Sequence, residues 1–114
     1  MDYTKFLPHI NVEEGKGRVM NNFGLYTTLL KKFKGRQMMD ELIVAINKNE
    51  LAEVCQISHA LRGTAANLSF PIVHKTVADI EKLAKNGEDS SHLIDDLKNA
   101  IDGLDAAIAE LTTG

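Results

Sequence analysis

Residues 58–70 read Ser58-His59-Ala60-Leu61-Arg62-Gly63-Thr64-Ala65-Ala66-Asn67-Leu68-Ser69-Phe70, or SHALRGTAANLSF. Glycine in a helix interior costs about 1 kcal/mol relative to alanine. Gly63 nevertheless stands just past the middle of a helical segment, four residues after a titratable histidine. Stepping about 100° per residue places Leu51, Val54, Ser58, Leu61, Ala65 and Leu68 in one stripe, which must be the buried face. His59 then lies about 130° from the centre of that stripe, facing solvent or the edge of a groove. Ala52, Gln56, Gly63 and Ala66 share its side, where bulky lysine and glutamate are the usual surface choice.

Outward from this segment the apolar spacing stays helical, and no stretch alternates convincingly with period two. Leu25, Leu29, Leu30, Phe33, Met38, Leu42, Ile43 and Ile46 trace a helix over about 22–48, with Gly35 placed to kink or split it. Asn49 is a good N-cap for a helix over about 50–68. Pro71 suits the first turn of a helix over about 71–86, stopped by Asn86-Gly87. Asp89 or Ser90 can cap a last helix over about 90–112 that carries Leu93, Ile94, Leu97, Ile101, Leu104, Ile108 and Leu111. Residues 1–10 form a short helix or irregular lead-in, broken at Pro8. Four amphipathic helices on short loops predict an all-α, antiparallel four-helix bundle over 22–112, within a single domain of residues 1–114.

The totals exclude several classes. At 114 residues the chain can bury a real core, and 44% hydrophobic residues are too many for a disordered chain. A net charge of −3 with no lysine-arginine block argues against nucleic acid. No apolar run reaches the roughly 18 residues that span a bilayer, and MDYTKFLPHI is no signal peptide, so no membrane partner is expected. The single cysteine, Cys55, excludes an internal disulfide and fits a reducing cytoplasm.

An exposed, neutral imidazole on a rigid helix can accept a phosphoryl group inside a partner's active site. Arg62, at i+3, can offer charge-assisted hydrogen bonds to phosphoryl oxygens, and Gly63 removes bulk one turn away. The plainer alternative is a surface histidine or a helix-packing contact. Spacing alone leaves both open.

At these residues the sequence resembles the histidine-containing phosphotransfer (HPt) domain of bacterial two-component phosphorelays. His59-Ala60-Leu61-Arg62-Gly63 matches the pattern His-x-(Leu/Ile)-Lys-Gly with arginine for lysine, and Thr64-Ala65-Ala66-Asn67-Leu68 fits its small-residue run. Val12-Glu13-Glu14-Gly15, followed by Tyr26, Leu29, Leu30 and Phe33, is similar to the start of the family's first long helix. Ile80-Glu81-Lys82-Leu83-Ala84 is similar to its Leu-Glu-x-x-Ala segment. Ser69 stands where the family usually has a second glycine that ends the histidine helix; it is expected instead to help cap the helix beginning near Pro71.

The resemblance implies that His59 is the phosphoacceptor, with Arg62, Gly63, Glu81 and Lys82 stabilising or orienting. Glu81 is either a solvated helix charge or an acceptor from the imidazole Nδ1–H that leaves Nε2 as nucleophile. Ala52, Gln56 and Ala66 would form the docking face. The implied partners are receiver domains of response regulators or hybrid histidine kinases, met by a monomer. The chain itself is expected to carry no cofactor and no metal, Mg²⁺ being expected on the receiver. A carrier without kinase or hydrolase activity of its own follows, and the start at Met1 favours a stand-alone one. The alternatives are the phosphoacceptor domain of a chemotaxis-type kinase and a helical adaptor that binds without phosphotransfer.

Cys55, at i−4 from His59, suits the edge of the core, since one cysteine and one histidine supply too few zinc ligands. His9, His74 and His92 read as surface residues. Phe6, Leu7 and Ile10 are placed to cover one end of the bundle or to extend the docking surface.

Overall fold

The computed structural model of the chain describes residues 2–113; Met1 and Gly114, the outermost residues of the expected domain, lie outside the described residues. Six helices follow in order: α1 (Val12–Gly17), α2 (Phe23–Lys32), α3 (Gly35–Asn47), α4 (Leu51–Leu68), α5 (Pro71–Lys85) and α6 (Ile94–Thr113). Short 3-10 turns at Thr4–Phe6 and Ser91–Leu93 complete the order, and no strand occurs among the described residues. α3 and α5 each pack on both α4 and α6, closing an antiparallel four-helix bundle, while α1 and α2 lie against α4 and α2 also meets α6.

The apolar stripes explain the packing. α4 buries Val54, Ser58, Leu61 and Ala65; α5 buries Val73, Val77, Ile80 and Ala84; α6 buries Leu97, Ile101, Leu104 and Leu111. Full burial of each such leucine, isoleucine or valine contributes about 1.5–3 kcal/mol. Ser58 sits among them at no hydrogen-bonding loss, because its Oγ donates to the Val54 carbonyl at 2.6 Å.

The segment over 22–48 is two helices. Phe33 leaves the helix in extended conformation and its ring packs on Phe70, with centroids 5.1 Å apart. A Cβ at Gly35 would collide with the Phe33 ring, so glycine lets the chain break there. The break turns α2 so that Tyr26 and Leu30 are buried, whereas Leu25, expected on the apolar stripe, is exposed. Residues 12–17 also form a helix of their own, with Asn11 Oδ1 accepting from Glu14 N–H at 3.2 Å.

The helix ends correct two expectations. Asn49 does not N-cap α4: it has φ 54° and closes α3, with Glu50 N–H donating to the Ala45 carbonyl at 3.0 Å. The tight turn spends the asparagine on the left-handed position, and Glu50 takes the N-cap place with no side-chain bond. Ser69 does not cap α5 either; it ends α4 at φ 64°, and Phe70 N–H donates to the Ala65 carbonyl at 2.8 Å. Pro71 and Gly87, at φ 74°, sit at the start and just past the end of α5 as their chemistry requires. Asp89 accepts from Ser91 N–H at 3.3 Å and leads into α6.

His9 is half-buried rather than free on the surface. Phe6 and Ile10 are buried and draw the lead-in onto the bundle, while Leu7 stays exposed. The His9 ring comes to lie against Gly103 of α6, where a Cβ would collide with it, and its Nδ1 is buried with no hydrogen-bond partner among the described residues. Cys55 is half-buried at the edge of the core. No helix among the described residues is long and apolar enough to cross a membrane.

Candidate functional site

His59 lies mid-way along α4, on the side opposite Val54, Ser58 and Leu61, and 66% of its side chain is exposed. α5 packs alongside and presents Glu81, whose side chain is only 4% exposed. His59 Nδ1 stands 2.8 Å from Glu81 Oε2. Arg62, one turn on from His59, donates from Nε to Glu81 Oε1 at 2.6 Å. Lys85, one turn on from Glu81, places Nζ 3.3 Å from the same Oε2 that faces the imidazole.

A carboxylate this buried is ordinarily destabilised in its charged form. Burial does push the Glu81 carboxyl upward, but hydrogen bonds from Arg62, His59 and Lys85 outweigh it and hold the group below the usual carboxylate range. Glu81 is therefore ionised at neutral pH, and an ionised carboxylate only accepts. The geometry around Nδ1 is two-sided. Arg62 Nη2 also approaches His59 Nδ1, at 3.0 Å, and one ring nitrogen cannot both donate to Glu81 and accept from Arg62. A proton on Nδ1 would give Glu81 its donor and leave the lone pair on Nε2.

Away from Glu81 and Arg62, the α4 face beside His59 is open. Nothing lies within 4 Å of where a Cβ at Gly63 would stand, so no packing within this chain requires glycine there. Ala52, Gln56 and Ala66 are exposed along the same side of α4. Between α4 and α5, Arg62, His74, Ala78, Glu81, Lys82 and Lys85 line a shallow groove of about 390 Å³.

Of the residues singled out by sequence, the structure thus gathers His59, Arg62 and Glu81 into one hydrogen-bonded cluster, with Gly63 beside it. Lys82 lines the groove but makes no ion pair among the described residues. The lysine that reaches Glu81 is Lys85, which sequence reading missed. Its signal was the i,i+4 spacing from Glu81, which puts both on one face of α5.

The far end of α4 is held by a second cluster. The Tyr26 hydroxyl donates to the Leu68 carbonyl at 2.5 Å, and Arg18 donates to the Asn67 carbonyl at 3.3 Å and to Ser69 Oγ. Ser69 Oγ in turn donates to Glu14 Oε1 at 2.8 Å, and its carbonyl accepts from Asn11 N–H at 2.8 Å.

An exposed imidazole with a buried anion behind it and open space before it is suited to nucleophilic attack on an incoming electrophile. Neither the curated proteins nor the solved structures give a significant match to the chain. One family model does match, that of the Hpt domain, over residues 34–107, from the start of the bundle into α6 and across the whole His59–Glu81 cluster. With well over half of its length matched, the chain belongs to the Hpt domain family.

Proposed function

We propose that this chain is a phosphocarrier in which His59 takes a phosphoryl group from a phospho-aspartyl receiver domain, or from a histidine kinase, and passes it to the aspartate of a response regulator. Membership of the Hpt family implies histidine phosphotransfer within phosphorelays and interaction with receiver domains. The observation that carries the assignment to His59 is the 2.8 Å contact between its Nδ1 and the buried Glu81 carboxylate.

The chemistry follows from that contact. The Nε2 lone pair attacks phosphorus, the N–P bond forms, and the P–O bond of the acyl phosphate breaks with its electrons leaving on the aspartate. Nδ1 keeps its proton throughout, so the ring gains positive charge opposite the Glu81 carboxylate, which stabilises it. Arg62 is positioned to turn part of its guanidinium toward phosphoryl oxygens. Lys82 adds positive potential along the groove. Ala52, Gln56 and Ala66, with Gly63, form the docking face on which the receiver closes. Mg²⁺ belongs to the receiver's acidic site, and the carrier needs no cofactor of its own.

The test is incubation of the full chain with radiolabelled phospho-receiver. Acid-labile, alkali-stable label that disappears in His59→Gln is the expected result. Label retained by that variant, or none with any receiver or kinase donor, rejects the assignment and leaves a helical adaptor.

A further inference from the structure

Three groups share the charge of Glu81, and they are not equivalent. Arg62 takes Oε1 and also reaches the imidazole; His59 faces Oε2; Lys85 shares Oε2 with His59. The Lys85 side chain is 61% exposed, and Glu81 is its only ion-pair partner among the described residues. We propose that Lys85 is a positioning residue for His59: by occupying Oε2 it limits the negative charge available to the imidazole, and so shortens the life of the phosphorylated ring. This rests on His59 being the phosphoacceptor.

The direction follows from charge balance. In phospho-His59 the ring carries a phosphoryl group on Nε2 and a proton on Nδ1, and is cationic. When water takes the phosphoryl group, the electrons of the N–P bond return to Nε2, the water oxygen joins phosphorus with its protons leaving on inorganic phosphate, and the ring becomes neutral. A carboxylate beside the ring therefore stabilises the phosphorylated form more than the free one. A cation on the same carboxylate oxygen opposes that stabilisation. A lysine that instead gripped the phosphoryl oxygens would have the opposite effect, prolonging the phosphorylated state.

The experiment charges the full chain with phosphoramidate, removes the donor and follows phosphoryl loss by phosphorus NMR. Because Lys85 is largely in solvent, its influence is screened, and Lys85→Met should lengthen the lifetime of phospho-His59 by roughly two- to fivefold. Lys85→Arg should restore the wild-type lifetime. In a Glu81→Gln background, Lys85→Met should change nothing, because the charge through which the lysine acts is gone. A shorter lifetime, an unchanged one, or an effect that persists in the Glu81→Gln background overturns the proposal. A wild-type chain that takes no phosphate at His59 removes the proposed function as well, so the two failures are distinguishable.

Discussion

Glu81, buried on α5, holds its Oε2 2.8 Å from Nδ1 of the exposed His59 on α4. The pair joins an interior charge to a surface imidazole. A neutral glutamine at position 81 keeps an acceptor but loses the charge. Hydrogen bonds to charged groups exceed neutral ones by about 1–2 kcal/mol. Glu81→Gln should therefore slow phosphoryl uptake by His59 roughly 5- to 30-fold, with the fold intact by circular dichroism. An initial rate equal to wild type would remove Glu81 from the chemistry.

The same carboxylate makes stability depend on pH. Against burial, hydrogen bonds from Arg62, His59 and Lys85 hold its folded pKa below the ordinary 4.5. A lowered folded pKa means that the unfolded chain binds the proton first. The stabilisation is thus complete well above 4.5 and is lost as pH falls through the folded value. Urea unfolding should show wild type losing stability more steeply than Glu81→Gln as pH falls from neutral past about 4.5. Parallel curves would contradict the linkage.

Substitutions at Gly63 test folding and docking separately. The empty space beside it means that Gly63→Ala should raise stability by about 0.5–1 kcal/mol through helix propensity alone. Gly63→Leu should fold comparably but slow transfer from a phospho-receiver roughly tenfold or more, since one added side chain can misplace reacting groups by an ångström. Equal transfer rates for glycine and leucine at this position would show that no partner closes there.

Ser69 poses the opposite case, a left-handed φ of 64° with a working side chain. Ser69→Ala keeps the unfavourable backbone and loses the bonds to Glu14 and Arg18, so it should cost about 1–3 kcal/mol. Ser69→Gly loses the same bonds but relieves the backbone by roughly 1 kcal/mol, and should be the milder change. Chemical denaturation of both variants gives the order.

The contrast between Gly63 and Ser69 marks how far sequence reaches. Spacing alone oriented α4, because burying Val54, Ser58, Leu61 and Ala65 together leaves His59 a single possible side. The Pro71 start and Gly87 stop of α5 were equally legible, since their backbone chemistry is local. Asn49 was misassigned because asparagine serves both as N-cap and in the left-handed position, and only the turn decides which. The role of Ser69 depends on Arg18 and Glu14, 51 and 55 residues away, and nothing in its neighbourhood announces them. The partial burial of His9 is remote in the same way: its seat is Gly103 on the last helix.

The clasp around Ser69 also bears on where the protein can be divided. Its donors Asn11, Arg18 and Tyr26 all precede residue 34, where the family match begins. Excising residues 34–107 would leave the Asn67, Leu68 and Ser69 carbonyls to water and uncover the apolar seats of Phe6, Ile10 and Leu30. The helix that carries His59 is anchored at its far end by a part of the chain that precedes the matched residues 34–107. The smallest piece able to hold that histidine steady is accordingly larger than the motif by which it is recognised.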